Sequence, residues 1–216
     1  MPRAIVDPNN LGNLTGRKTI AQLPPQTRTF GFVPDLGVCE PGDLILSCSV
    51  VPGFIERRIV RAQINAGFGA DDSRWTHAAV YLYEDFIAEA DPWQGVRSRS
   101  LYSDVPGSFF MVRRRPGLTN AERYKIALCA QRMLGMRYDL GAALSLGLQA
   151  RLSAMWNRYW VQRMKRVTIC SQVFYDAHAE ITRHFLDGCS TDVVMPAHLS
   201  ATTDLDDILV PWLTLT

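Results

Sequence analysis

Two β-rich runs separated by one acidic pair constrain this chain more than any other feature. Trp75 to Tyr83 is dense in β-branched and aromatic residues, Glu84-Asp85 marks a turn, and Phe86 to Ala90 resumes the strand pattern. The pattern predicts a β-hairpin. With the turn centred on Glu84, Ala79 stands opposite Glu89 and His77 opposite Asp91. His77 and Glu89 are then diagonal neighbours on one sheet face, within reach of long side chains. Glu89 and Asp91 compete to orient the His77 ring, and the facing set survives a shift of the turn only if parity is kept.

Other elements follow from local signals. Pro41-Gly42-Asp43 is a turn, and Leu44-Ile45-Leu46 reads as a buried strand. Residues 54–65 place Ile55, Ile59 and Ala62 at helical spacing. Gly67 to Ser73 reads as a flexible loop, and Val96 to Leu101 and Phe109 to Arg113 as two further strands. Thr119-Asn120-Ala121-Glu122 is a capping box that announces a helix ending near Gly135. Residues 140–165 are expected to be helical. Cys170 opens another helix, with Val173, Phe174, Ala177 and Ile181 on one face. A short strand is expected at Ile208-Leu209-Val210. Residues 1–40, rich in Pro, Asn, Gly and Thr, are read as an extended or loosely ordered arm wrapped on a single domain spanning 41–216.

Length and composition exclude several classes. The 216 residues suit one domain, and a hydrophobic fraction of 47% suffices for a sizeable core. A net charge of +2 argues against a dedicated nucleic-acid binder. No apolar run reaches membrane-spanning length, and Met1 to Asn10 lacks the apolar core of a signal peptide. Synthesis in the cytoplasm is therefore expected, with any export by another route. The five cysteines, Cys39, Cys48, Cys129, Cys170 and Cys189, are odd in number and show no Cys-x-x-Cys spacing. That fits neither a disulfide framework nor a zinc site, so no metal or organic cofactor is expected.

One cysteine differs from the rest. In Thr168-Ile169-Cys170-Ser171 an apolar approach ends in a cysteine at a helix start. The unpaired amides and positive dipole end there favour thiolate over thiol, and can also hold an oxyanion. A nucleophilic cysteine needs a base, and His77 is the strand histidine that qualifies. A carboxylate beside it, Glu89 or Asp91, would fix its tautomer. His178, His184 and His198 are read as surface positions.

These pieces together resemble NlpC-type cell-wall cysteine peptidases of the papain-like superfamily. Pro41-Gly42-Asp43-Leu44-Ile45-Leu46 resembles that family's turn and strand. His77-Ala78-Ala79-Val80-Tyr81 resembles its histidine motif, with Ala78-Ala79 in place of Val-Gly. Ile87-Ala88-Glu89-Ala90 resembles the third-residue motif, with glutamate replacing histidine. Arg137-Tyr138-Asp139 and Ile169-Cys170-Ser171-Gln172 resemble the remaining two motifs, but follow the histidine instead of preceding it. That order is similar to the circularly permuted branch, related in design to lecithin retinol acyltransferase-like enzymes. Pro196-Ala197-His198-Leu199 resembles the branch's late Pro-x-x-Leu segment.

The resemblance implies an α+β papain-like fold: a central antiparallel sheet with the Cys170 helix packed on it. It implies Cys170 as nucleophile, His77 as base and Glu89 as orienter, with Tyr138, Ser171 and Asp91 lining the site. The implied reaction proceeds through an acyl-enzyme, on amide bonds of peptidoglycan stem peptides. A thioesterase or acyltransferase acting on lipid-like acyl substrates is the competing reading, and a non-catalytic binding module the third. Some relatives are antibacterial toxins exported without a cleaved signal, which implies a type VI-type effector with an inhibitor protein as partner and a target-cell periplasm as destination. The basic, aromatic insert at 140–168, with Trp156, Tyr159 and Trp160, is read as a helix on the domain, a lid, or a membrane-surface contact through 140–166.

Overall fold

A computed structural model describes residues 3–138, 167–189 and 194–216. The elements run β1 (Ile5–Val6), β2 (Leu14–Lys18), α1 (Pro25–Phe30), β3 (Phe32–Pro34), β4 (Leu44–Ser49), α2 (Phe54–Asn65), α3 (Ala70–Ser73) and β5 (His77–Tyr83). They continue with β6 (Phe86–Asp91), β7 (Gly95–Ser100), β8 (Ser108–Arg114), α4 (Asn120–Arg132), β9 (Arg137–Tyr138) and β10 (Val167–Thr168). The remainder are α5 (Cys170–Thr182), α6 (Pro196–Ala201), β11 (Asp206–Ile208) and β12 (Trp212–Leu215). The class is α+β. The expectations for 140–166 lie outside the described residues.

The main sheet has the order β1-β8-β4-β5-β6-β7, with β11 also on β8, and every pairing in it is antiparallel. Strand side chains alternate between two buried layers. Leu44, Leu46, Ala78, Val80, Ala88, Ala90 and Met111 belong to the layer that α4 and α5 cover. Ile45, Ala79, Tyr81, Ile87, Phe110 and Val112 belong to the other, with Val6, Val33, Leu36 and Trp212 packed on them. Both faces are dry, which explains the near-continuous apolar reading of β4 and β5. Each fully buried Ile, Leu or Phe contributes roughly 1.5–3 kcal/mol.

Local chemistry sets the element ends. Thr119 accepts from the Glu122 amide at 3.3 Å while Glu122 accepts from the Thr119 amide at 2.8 Å, closing the expected capping box. Such a cap is typically worth about 1 kcal/mol. Gly42 has φ +85°, and a Cβ there would stand 2.9 Å from the Arg123 carbonyl. The glycine therefore lets α4 press against the turn. Asp43, buried beside it, is gripped by Arg114 through both oxygens at 2.8 and 2.7 Å.

The structure corrects three local expectations. Residues 5–38 form strands and a helix instead of a loose arm: β2 and β3 flank β12 in a second, three-stranded sheet. Helix α3 occupies part of the stretch read as a loop. The late strand falls at Asp206–Ile208, and Leu209 beyond it is exposed. In each case the deciding contacts are long-range, and local composition carries no trace of them.

Candidate active site

The β5–β6 hairpin sets the first half of the site. Glu84 takes φ +53° in the turn, and the register pairs Ala79 with Glu89, as the centred turn predicts. His77 begins β5 two residues earlier, on the same face. Its Nε2 lies 2.8 Å from Glu89 Oε2. Asp91 does not take this part. Its Oδ1 accepts from the Trp93 and Gln94 amides at 2.8 and 2.9 Å, and its Oδ2 pairs with Arg97 at 2.9 Å.

Glu89 is only 2% exposed, yet it is surrounded by donors. Strand β7 pairs Arg97 directly opposite Glu89 and sets Arg99 on the diagonal. Arg99 donates to both carboxylate oxygens, from Nε at 2.5 Å and Nη2 at 2.8 Å, and Arg97 Nε donates to Oε1 at 3.1 Å. Arg99 is itself held by Asp104 at 2.7 Å. Burial alone would raise the Glu89 pKa. The hydrogen bond and charge of His77, then those of Arg99, overcome it and hold the carboxyl well below its usual range.

Helix α5 supplies the second half. Cys170 is its first residue and is buried; Ile169, in extended conformation before it, offers no side-chain cap. The Gln172 and Val173 amides turn back to the Ile169 carbonyl at 3.1 and 3.3 Å, while the Ser171 amide is directed at the sulfur. The Cys170 sulfur accepts from the Ser171 and Ala78 amides and shares a hydrogen bond with the His77 ring. Since Nε2 is engaged by Glu89, Nδ1 is the ring nitrogen left for the sulfur. Burial works against a thiolate, but these bonds and the imidazole charge lower the Cys170 pKa below the usual thiol value. The His77 pKa moves the opposite way: burial would lower it, yet Cys170 and Glu89 raise it to about 10. Both shifts favour passing the thiol proton to the ring.

The other expected lining residues have different positions. The Ser171 hydroxyl turns into the fold and donates to the Val194 carbonyl, so only its amide faces the sulfur. Tyr138 pairs with Thr168 across β9 and β10, two residues before the cysteine, and packs on the core layer that contains Cys170. Gly95 makes this approach possible. Its φ is +74°, and a Cβ there would lie 2.3 Å from the Met136 carbonyl, which accepts from Val96 at 2.8 Å.

Two histidine expectations are corrected. His178 is buried, stacked on Phe174 at 5.7 Å, and its Nε2 has no hydrogen-bond partner among the described residues. Its helix is enclosed on more sides than the one apolar stripe indicates. His198 is half-buried, with its ring edge-on to Phe68 and its Nδ1 accepting from the Met195 amide at 3.0 Å. His184 is exposed, as expected. The residues missed from sequence are Arg97, Arg99 and Asp104. The signal for the arginines was the alternation Arg97-Ser98-Arg99 on a strand that pairs with Glu89.

No protein-family model matches the chain, and no curated protein matches it. The fold is similar to that of a solved structure described as the metalloprotein YiiX from Escherichia coli O157:H7, DUF1105. The TM-score is 0.54 at 17% identity, covering 78% of this chain and 96% of that one. At that identity the likeness concerns the fold alone.

Proposed function

We propose that the chain is a cysteine hydrolase of permuted papain-like design, with Cys170 as nucleophile, His77 as general base and acid, and Glu89 as the group that orients His77. The observation that carries this reading is the unbroken line of hydrogen bonds from Glu89 through His77 to the Cys170 sulfur at the start of α5. A structural cysteine needs no such line, and the pKa directions of Cys170 and His77 are those a nucleophile and its base require.

The chemistry follows from the groups. The Cys170 thiolate attacks an acyl carbonyl carbon, and the tetrahedral oxyanion is held by the Cys170 backbone amide at the start of α5. Collapse breaks the bond to the leaving group, which takes the His77 proton and departs as an amine or alcohol. His77 then accepts a proton from water, whose oxygen attacks the thioester. The acid product leaves and the pair is restored. Glu89, pinned by Arg99, keeps the ring in the tautomer that presents Nδ1 to the sulfur. The structural neighbour is described as a metalloprotein. The donor set here does not fit an ion: among the described residues no three His, Cys, Asp or Glu side chains are arranged to hold a metal, and arginines occupy the Glu89 oxygens.

The substrate class comes from the sequence resemblance: amide bonds of peptidoglycan stem peptides, in the setting of an exported antibacterial effector. Incubation of purified cell wall with the protein is expected to release stem-peptide fragments, and the Cys170→Ala variant to release none. Fragments from the variant would remove the mechanism. Silence of the intact protein, with Cys170 still alkylated at neutral pH, would move the reading to acyl esters or thioesters.

A further inference from the structure

The antiparallel order places several loops at one end of the main sheet. Ser47 pairs with His77, Ser49 with Ser108, Ala79 with Glu89 and Asp91 with Gly95. The loop from β4 to α2 and the turn from β6 to β7 therefore leave from the end where His77 begins β5. Strand β5 lies between β4 and β6, so the Cys170–His77 pair sits between these two loops. Adjacent strands are about 4.8 Å apart, which puts the two loop bases roughly 10 Å from each other.

Both loops hold large apolar side chains out in water. Val51 is 83% exposed and Phe54 is 64% exposed at the entry to α2, and Trp93 is 79% exposed in the other turn. Every residue from Val51 to Ile55 is exposed. Isolated exposed apolar residues are ordinary, but three on tips that bracket a reactive sulfur form a feature needing a partner. Behind the first tip, α2 presents Arg57, Arg58 and Arg61, all exposed. Arg57 donates to the Pro52 carbonyl at 2.7 Å and Arg58 lies over the Phe54 ring at 4.9 Å. None of the three has an ion pair among the described residues. The one acid of the helix, Glu56, is turned inward, accepting from Ser49, Gly53 and Thr76.

We infer that this end of the molecule docks on an anionic lipid surface, with Val51, Phe54 and Trp93 entering the interface and Arg57, Arg58 and Arg61 meeting the headgroups. Unpaired cations complement an anionic surface, and aromatic residues on separate projecting tips suit insertion between lipids better than a flat protein contact. Docked this way, Cys170 faces the membrane, and an acyl group carried there reaches it between the tips. The surface goes beyond the catalytic reading and does not require it.

The test is co-sedimentation of the full chain with vesicles of phosphatidylcholine alone and of phosphatidylcholine mixed with phosphatidylglycerol. Binding is expected to the mixed vesicles only, and to weaken with salt. Each arginine near such a surface is worth about fivefold in affinity, so Arg57→Gln, Arg58→Gln and Arg61→Gln together should lower it by about a hundredfold. The pair Phe54→Ser and Trp93→Ser should remove binding, with the indole fluorescence shift lost in Trp93→Phe. Pelleting with neither vesicle overturns the proposal, and so does binding that survives both sets of variants. Cys170 alkylation by iodoacetamide, read on the same samples without vesicles, should be unchanged by any of them. Failure of docking and failure of the catalytic reading thus appear in separate measurements.

Discussion

His77, partly buried at the site, and His178, fully buried, are two imidazoles that the fold treats in opposite ways. Burial alone pushes both toward the neutral form. At His77, Glu89 on one side and Cys170 on the other outweigh it, and the pKa rises to about 10. At His178 burial leads, Arg115 adds to it, and Asp204 only partly opposes; the pKa falls to about 4. The difference teaches that charge at a buried histidine is set by its partners more than by depth. One ring is wired into a line of anions and cations. The other is a stacked, neutral core residue.

The sharpest way to break the contrast is to delete each ring. His77→Ala should lower turnover by on the order of 10⁴-fold or more while folding persists, since such groups act as a unit. His178→Ala should leave turnover of the folded protein intact and cost stability instead. Kinetic assays alongside chemical denaturation check both. If His178→Ala abolishes the proposed turnover without loosening the fold, the division of roles is wrong.

Removing the anion from the first site comes next. Glu89→Gln leaves Arg99 with Asp104 as its one carboxylate partner and weakens the hold of Arg97, which should cost about 3 kcal/mol in denaturant unfolding. It should also lower the His77 pKa and move the onset of Cys170 alkylation to higher pH. Asp91→Asn should cost well under 1 kcal/mol and leave that onset in place; the reverse order would exchange their roles.

Acid offers a comparable effect at the second site. The neutral His178 ring contributes stability above its unfolded pKa near 6.5. That contribution is lost as pH falls from there to about 4, where the folded ring takes its proton. The loss is about 3 kcal/mol, from the distance between the two values. His178→Phe should flatten the acid slope, and at neutral pH should change stability little because it also removes an Nε2 that has no hydrogen-bond partner among the described residues. His77 has the opposite sign: its charged form contributes fully below pH 6.5 and the contribution is lost as pH rises through about 10.

The smallest contrast is among thiols. Burial, the largest influence on each, raises the pKa of Cys39 to about 12 and of Cys189 to about 11, and raises those of Cys48 and Cys129. Only Cys170 is shifted down among the five. Mass mapping after brief alkylation at neutral pH should find one labelled cysteine, residue 170.

The sequence carried the hairpin register and the cysteine at a helix start, because turn chemistry and strand parity are local. The Glu89–His77 diagonal followed from the same local facts. The arginine clamp did not, since it depends on how β7 pairs with β6 through the Asp91–Gly95 turn. His178 was misread for a related reason. The ring stacks on Phe174 one turn back in the same helix, while the charges that act on it, Arg115 and Asp204, come from distant parts of the chain.

The small second sheet has a bearing on synthesis. Strand β12 is its middle strand, hydrogen-bonded to β2 on one edge and β3 on the other. Until residues 212–215 leave the ribosome, those two earlier segments share no partner, and Val33 and Leu36 lack the indole that seals them. A nascent chain therefore holds an open seam until translation has passed Trp212. Shortening the chain by a handful of residues there should harm folding far more than its distance from the sulfur would indicate.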